Sequence, residues 1–166
     1  MSHHPVDVLL GLGSNIDRQR NLSRAIQMLG QHPDFALCAV SPIYESLPVG
    51  GQPGQSPYYN AAAHVKTALS PAELKSCLRQ IEQDLGRVRI ADKYSPHPID
   101  IDIVMYGKQI FELEGKQIPD PHLLQYPYIA HPIADIAADW IHPENGLSLR
   151  QIAESLTYSE TEIYQI

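Results

Sequence analysis

Residues 70–106, SPAELKSCLRQIEQDLGRVRIADKYSPHPIDIDIVMY, contain the helix and the strand from which the fold can be predicted. Ser70 and Glu73 have the spacing of a capping box, which indicates a helix start. Apolar residues then recur at helical spacing as far as Gly86, where the helix is expected to end. They are Leu74, Cys77, Leu78, Ile81 and Leu85. After a loop, a strand is predicted over Ile99 to Tyr106.

This strand carries two aspartates two residues apart. Successive side chains of a strand point to opposite faces, so Asp100 and Asp102 project on one side while Ile99, Ile101 and Ile103 project into a core. Two neighbouring carboxylates need a cation, a proton or solvent to relieve their repulsion. Mg²⁺ is often held by one or two carboxylates together with substrate phosphates, so the pair is predicted to bind Mg²⁺. An amphipathic strand with a solvated face is the alternative interpretation.

Two arginines lie between the helix and the strand. Arg87 and Arg89 follow the predicted helix end, which places them on a loop rather than on a solvated helical face. Guanidinium groups supply planar, bidentate donors for phosphate oxygens. Alternatively, the arginines satisfy the last carbonyls of the helix. Together with the carboxylate pair, they predict a phosphate-handling site.

The remaining pattern makes this helix and strand the last two elements of a βαββαβ order. The earlier elements are predicted strands over Val6 to Leu12, Phe35 to Tyr44 and Tyr59 to Thr67, and a helix over Asp17 to Leu29. This order is the ferredoxin-like α+β arrangement, an antiparallel sheet with helices on one face. A C-terminal extension is expected to have short strands around Gln109 to Leu113, a helical segment near Ile133 to Ala138 and a helix that begins after Ser148.

Composition limits the function classes. The 166 residues are 43% hydrophobic, and residues 1–166 are predicted to form a single domain. A net charge of −7 disfavours general binding to nucleic acid or to an anionic membrane. Neither the histidines nor the two cysteines, Cys38 and Cys77, show the spacing of metal ligands. The two cysteines are expected to be reduced thiols. Without a secretory signal or a run of membrane-spanning length, a cytoplasmic protein is predicted.

Two long loops interrupt the predicted elements. Glu45 to Pro57 is rich in glycine and proline, and Ile90 to Pro98 contains two more prolines. Loops longer than about 12 residues are uncommon in compact domains and are usually functional lids or disordered connections. Both interpretations stay open from composition alone.

These motifs resemble the 6-hydroxymethyl-7,8-dihydropterin pyrophosphokinase family of the folate pathway. The family pattern GRxR, a variable loop and IDxDI is similar to residues 86–103. Further matches are Gly13-Ser14-Asn15 with GSN, Tyr44 to Gly50 with YxTxPxG, Tyr58 to Ala61 with YxNA, Glu82 with IExxxGRxR, and Pro132 with PLxEIAPxxxHP. The resemblance covers residues 8 to 145 in the family's order.

The resemblance implies a Mg²⁺-dependent diphosphokinase that moves the β,γ-pyrophosphoryl group of ATP to the hydroxymethyl oxygen of a reduced pterin and releases AMP. Catalytic roles are implied for Arg87, His97, Asp100 and Asp102, with the two aspartates as metal ligands. The pterin, a flat heterocycle that needs apolar or aromatic walls and an amide partner, is expected to contact Ser46, Leu47, Val49, Tyr58, Asn60 and Tyr128. ATP is expected to contact Glu82, Arg89, Tyr94, Ile103 and His122.

Three positions depart from the family pattern. His97, Asp120 and Tyr126 stand where the pattern has arginine, histidine and arginine. Positive charge that would stabilise a transferring pyrophosphoryl group is therefore reduced. The alternatives are a relative that acts on another pterin acceptor, a non-catalytic protein that binds a pterin or a nucleotide, and a ferredoxin-like interaction module.

Overall fold

The structure is a computed structural model, and it describes residues 4–47, 56–88, 96–157 and 163–166. The first part of the chain forms β1 (Val6–Ser14), α1 (Arg18–Gln31), β2 (Phe35–Val40), β3 (Tyr44–Ser46), β4 (Tyr58–Thr67), α2 (Pro71–Asp84) and β5 (Asp100–Tyr106). The second part forms β6 (Phe111–Leu113), β7 (Lys116–Ile118), a 3₁₀ turn (Pro121–Leu124), α3 (Pro127–Ala137), α4 (Leu149–Ser155) and β8 (Ile163–Gln165). The predicted α+β class is confirmed.

The main sheet is antiparallel, with the strand order β5-β1-β4-β3-β8, and β2 also pairs with β4. The prediction of a single strand over Phe35 to Tyr44 is wrong, because this segment is divided between β2 and β3. At the break, the Ala62 backbone N–H donates to Ser41 Oγ at 2.8 Å. Pro42, which has no N–H to donate to a neighbouring strand, follows directly.

One face of the sheet packs against α1 and α2. The capping box of α2 is formed by Ser70 and Glu73, as predicted. Both helices present an apolar stripe to inward-facing strand residues. The resulting core includes Leu10, Leu22, Leu29, Leu74, Leu78, Ile99, Ile101 and Ile103. The alternation along β5 therefore buries the isoleucines, as the sequence predicts.

The two helices of the predicted βαββαβ core lie on one face, as expected, and the C-terminal extension adds a second helical layer. α3 and α4 cover part of the opposite face, where they pack on strand residues that point away from the first core. Those strand residues are Leu9, Ala62, Val104 and Met105. Because these apolar side chains need to be removed from water, a second helical layer forms over them. The predicted C-terminal helical segment begins earlier than expected, at Pro127, where the absent proline N–H leaves no unsatisfied donor.

The β6–β7 hairpin was only half predicted. The expected short strand is β6, but its partner β7 was missed. Glu114 and Gly115 connect the two strands with φ values of 52° and 81°. Positive φ at both central residues is typical of a two-residue type I′ turn. Among the described residues, no helix has both the length and the apolar composition needed to cross a membrane.

Candidate active site

Polar side chains of β4 and β5 lie on either side of two glycines of β1, on the sheet face that α3 and α4 partly cover. Gly13 of β1 pairs with Asn60 on one side and with Asp100 on the other, while Gly11 pairs with Asp102. Residues paired across neighbouring strands share a face, so only a glycine separates Asn60 from Asp100. A Cβ atom at Gly13 would lie 3.5 Å from Asn60 Oδ1 and 3.6 Å from Tyr58 Cδ1. Bare backbone therefore lies between Asn60 and Asp100, and this glycine-floored region between the two side chains is named the cleft.

Arg87 holds Asp100 in place. Its Nη1 donates to Asp100 Oδ1 at 2.8 Å, to the Ile99 carbonyl at 3.0 Å and to Glu82 Oε2 at 3.1 Å. The guanidinium group is only 11% exposed. Burial acts to lower the pKa of Arg87, but the Asp100 and Glu82 carboxylates outweigh that effect and raise it. The arginine therefore stays charged and oriented toward β5.

Glu82 is buried and bonded to two neighbours in the protein. Its side chain is 3% exposed, and Oε2 accepts hydrogen bonds from Arg87 and from the Ile101 backbone N–H, at 2.8 Å for the latter. These contacts fix Arg87 and the start of β5. The expected contact of Glu82 with the nucleotide stays a prediction.

Asp102 is held from the other side by a lysine that the sequence analysis missed. Lys116 Nζ lies 3.5 Å from Asp102 Oδ1 and 3.1 Å from Asp120 Oδ2. Burial acts to lower the pKa of Lys116, but the two carboxylates outweigh it and raise this pKa. Asp120 is itself 2% exposed, and its Oδ1 accepts from the His122 backbone N–H at 3.0 Å. Asp120, which stands where the family pattern has histidine, was the sequence feature that could have indicated this lysine. A carboxylate that is buried needs a nearby cation.

The acid pair keeps excess negative charge in spite of these contacts. Burial, followed by the neighbouring charge of Asp100, raises the pKa of Asp102 to about 6, although Lys116 and Lys75 oppose the shift. Both aspartate side chains are 35% exposed. Among the described residues, the four carboxylates of this site pair with one arginine and one lysine, and a histidine ring nitrogen also lies 3.6 Å from Asp120 Oδ1. The carboxylates are Glu82, Asp100, Asp102 and Asp120, and their partners are Arg87, Lys116 and His122. The oxygen-rich, partly exposed and negatively charged pair fits a hard divalent cation such as Mg²⁺.

The tyrosine and asparagine side chains predicted for the pterin lie at the same end of the sheet. Asn60 Nδ2 donates to Ser46 Oγ at 2.6 Å and to the Tyr44 carbonyl at 3.4 Å. The pKa of Tyr58 is raised by burial and then by Asp100. Burial is also the main cause that raises the pKa of Tyr128, with Asp100 and Asp102 among its further causes. Both phenols are therefore within electrostatic reach of the acid pair.

Other predicted residues have different surroundings. The Tyr126 ring stacks on the Tyr128 ring with centroids 5.2 Å apart, and the His122 ring meets Tyr126 edge-on at 5.3 Å. The Leu47 side chain is largely exposed. The His97 backbone is bonded to Asn15, with its N–H donating to Asn15 Oδ1 at 2.7 Å. Val49, Arg89 and Tyr94, which the sequence analysis also selected, lie outside the described residues.

A small cavity of about 130 Å³ follows the outer edge of β5, between α2 and the β6–β7 hairpin. Its lining combines three cationic side chains, one carboxylate and three apolar side chains. They are Lys75, Arg79, Ile103, Leu113, Glu114, Lys116 and Ile118. Ile103, expected along the nucleotide, therefore reaches this cavity, and Lys116 joins the cavity to Asp102.

A second group of metal-binding side chain types lies elsewhere in the described structure. Ligand atoms of His32, Asp34 and Cys77 fall within 4.8 Å of one another, although their sequence spacing gave no indication of this. His32 Nδ1 already accepts from the Asp34 backbone N–H at 3.1 Å. The imidazole therefore stabilises the turn between α1 and β2, and its lone pair is in use.

Comparison with known proteins identifies the family. Residues 9–138 match the family described as 7,8-dihydro-6-hydroxymethylpterin-pyrophosphokinase (HPPK). The chain belongs to the HPPK family. The resemblance of its motifs is thereby confirmed. As a member of this family, the chain is a diphosphokinase of folate biosynthesis.

Two bacterial relatives carry the name 2-amino-4-hydroxy-6-hydroxymethyldihydropteridine pyrophosphokinase. The Bacillus subtilis protein is 33% identical over 154 residues, which are 92% of this chain and 84% of that protein. The Synechocystis protein is 34% identical over 149 residues, which are 89% of this chain and 75% of that protein. Folic acid synthesis protein fol1 of Pneumocystis carinii is 37% identical over 150 residues, which are 90% of this chain. This chain spans only 20% of the length of fol1.

The HPPK fold is also found in solved structures. A Plasmodium falciparum HPPK-DHPS crystal structure with pteroate has a TM-score of 0.71 to this chain at 13% identity. The match covers 93% of this chain and 43% of that protein. At such low identity the similarity establishes the fold alone, and this chain spans less than half of the larger protein.

Proposed function

We propose that this chain transfers the β,γ-pyrophosphoryl group of ATP to the hydroxymethyl oxygen of 6-hydroxymethyl-7,8-dihydropterin, with Mg²⁺ held by Asp100 and Asp102. The observation that supports this most is the position of the acid pair. β5 is an edge strand, so Asp100 and Asp102 lie between the glycine-floored cleft on one side and the cationic cavity on the other. Donor and acceptor could therefore meet at these carboxylates.

The pterin is assigned to the cleft above Gly13. Tyr58 and Tyr128 supply aromatic walls, and Asn60 supplies an amide held in one orientation by Ser46 Oγ. The glycine floor leaves room for a flat ring to lie close to the sheet. Because Asp100 pairs with Gly13 on the neighbouring strand, a hydroxymethyl group on the ring edge can reach the acid pair.

The nucleotide is assigned to the edge of β5. Lys75, Arg79 and Lys116 give the cavity a positive lining for phosphates, and Ile103 gives it an apolar wall. Arg79 also forms an ion pair with Glu114, which holds its guanidinium group near the hairpin. Positive charge from Lys116 at Asp102 compensates in part for the arginines that the family pattern has at His97 and Tyr126.

The protein's contribution to the reaction is to position groups and to stabilise charge. Arg87 fixes Asp100, and Lys116 fixes Asp102. Mg²⁺, when bound, would neutralise phosphate charge during the transfer, as in other phosphoryl-transfer sites. A ring clamped over Gly13 and a nucleotide clamped along β5 need little further motion to align oxygen and phosphorus. We include in this proposal one domain over residues 1–166 and a cytoplasmic location.

The direct test is AMP formation from ATP, Mg²⁺ and the dihydropterin. We expect robust AMP release by the native chain, loss of it when Mg²⁺ is chelated, and loss of at least about 10²-fold in Asp100→Asn. Glu112→Gln is the matched control, since it makes the same carboxylate-to-amide change at an exposed position of the hairpin. Calorimetric binding of the pterin or ATP without any AMP release would instead favour a non-catalytic relative.

A further inference from the structure

Asn15 lies at the end of the central strand, between the two substrate sides of the cleft. It directly follows Ser14, the last residue of β1, and is 6% exposed. β1 separates β4 from β5 in the sheet, so the chain segments that enter those two strands do not pair with each other. Asn15 is placed where one side chain can contact both segments.

The hydrogen bonds of Asn15 reach both sides. Its Oδ1 accepts from the His97 backbone N–H at 2.7 Å, and its own backbone N–H donates to the His97 carbonyl at 3.1 Å. Its Nδ2 donates to the Ser56 carbonyl at 3.3 Å. His97 lies three residues before Asp100, and Ser56 lies two residues before Tyr58. One amide thus joins the segment leading to the acid pair to the segment leading to the pterin residues.

The chemistry of these contacts requires an amide. A backbone N–H can only donate, so it must meet Oδ1, and a backbone carbonyl can only accept, so it must meet Nδ2. The two contacts therefore fix the orientation of the Asn15 amide. A carboxylate of the same shape could accept from His97, but it would face the Ser56 carbonyl with a second acceptor. Burial makes such a mismatch costly.

We propose that Asn15 is a positioning residue that sets the distance between the pterin side and the acid-pair side of the cleft. It touches neither substrate and acts through Ser56 and His97. This inference rests on the proposed placement of the pterin over Gly13. Loss of the Ser56 contact alone should weaken binding of the pterin and leave binding of the nucleotide unchanged.

The first test is steady-state AMP release with each substrate varied in turn. For Asn15→Asp, which keeps the His97 contact and loses the Ser56 contact, we expect the KM for the dihydropterin to rise about tenfold. The KM for ATP should stay within twofold. Asn15→Ala adds no charge and should raise the pterin KM at least as much, which separates lost positioning from the effect of a new carboxylate.

Ser14→Ala is the matched control. Ser14 is fully buried at the end of β1, and its Oγ contacts the Pro98 carbonyl at 2.6 Å on the acid-pair side and the Ile16 carbonyl at 3.2 Å, so neither contact reaches the segment that enters β4. Its pterin KM should remain native. An unchanged pterin KM in both Asn15 variants, an equal rise for both substrates, or an equal rise in Ser14→Ala would overturn the proposal.

Two further measurements keep the test independent of folding and of activity. Arg18 Nη1 donates to the Pro57 carbonyl at 3.1 Å, so Arg18→Gln should also raise the pterin KM selectively. This variant tests the same chain segment if the Asn15 variants do not fold. Binding of the dihydropterin can also be measured by calorimetry in the presence of α,β-methylene ATP. The Pα–Pβ link of this analogue cannot be cleaved, so the measurement does not depend on turnover. Weaker pterin binding by Asn15→Asp supports the proposal even if the native chain releases no AMP, and unchanged binding contradicts it.

Discussion

The two ends of the second sheet face use the same strands for different purposes. Leu9 and Gly13 lie on the same face of β1, four residues apart. Around Leu9 the strands carry Val104 and Met105, and α3 and α4 cover them. Around Gly13 they carry Asn60 and Asp100, and Tyr128 at the start of α3 lies within electrostatic reach of Asp100. The sheet is continuous, yet one end is a hydrophobic core and the other is a polar cleft.

This difference indicates which property each end controls. Buried apolar side chains at the covered end contribute to the free energy of unfolding in proportion to the area they remove from water. At the open end, neighbouring carboxylates repel each other and contribute binding capacity rather than stability. Substitutions at the open end should therefore change activity with little change in stability, and substitutions at the covered end should do the opposite.

The largest effect is expected for Asp102→Asn. We expect kcat to fall about 10³-fold, because one of the two proposed Mg²⁺ ligands loses its charge. The melting temperature without Mg²⁺ should not fall, since the raised pKa of Asp102 means that its ionised form is disfavoured in the folded chain. AMP release and thermal unfolding check the two halves of this prediction. A clear loss of melting temperature would show that the acid pair stabilises the fold.

A large opposite effect is expected for Leu9→Ala at the covered end. Leu9 is fully buried, so the free energy of unfolding should fall by about 3 kcal/mol through lost burial and a new cavity. The KM values should stay native at temperatures where the variant is folded. Urea unfolding measures the change. Leu147→Ala, the same substitution at a side chain that is 42% exposed, is the control and should cost less than half as much.

Local patterns in the sequence predict the open end well. The alternation Asp100, Ile101, Asp102 needs only the period of a strand to place the carboxylates together, and the capping box needs only four consecutive residues. Family motifs add Tyr58 and Asn60 from a distant strand. The structure brings Tyr58, Asn60, Asp100 and Asp102 to one end of the sheet.

Contacts between distant segments could not be predicted in this way. Lys116 reaches Asp102 only because the β6–β7 hairpin folds back along the edge of β5, and the hairpin itself was half missed. The helical layer over Leu9 depends on how the C-terminal segments pack, which the period of β1 does not determine. Asn15 belongs to a recognised motif, but its partners His97 and Ser56 are 82 and 41 residues away.

Two glycines lie at the boundary between the ends and allow a smaller, sharper comparison. A Cβ at Gly13 meets only ordinary contacts, so Gly13→Ala should keep its stability while the added methyl group displaces the pterin and raises its KM about tenfold. A Cβ at Gly11 would lie 3.3 Å from Val104 Cγ2, so Gly11→Ala should cost about 1 kcal/mol. Kinetics and urea unfolding of both variants test this division. Equal losses of stability would show that the boundary does not lie between them.

The smallest effect expected is a pH dependence of stability at the covered end. His142 is 1% exposed, and its Nδ1 accepts from the Glu144 backbone N–H at 3.2 Å. Burial lowers its pKa below the usual 6.5, although Glu144 acts in the opposite direction.

The unfolded chain therefore binds a proton at His142 at a higher pH than the folded chain does. Stability should fall as the pH decreases from about 6.5 toward the folded pKa, and it should be unaffected by His142 above 6.5. His142→Gln keeps an acceptor but cannot be protonated. The difference in unfolding free energy between the native chain and this variant, measured from pH 5 to 8, cancels the other titrating groups. A difference that stays constant across this range would show that His142 does not have the lowered pKa that its burial predicts.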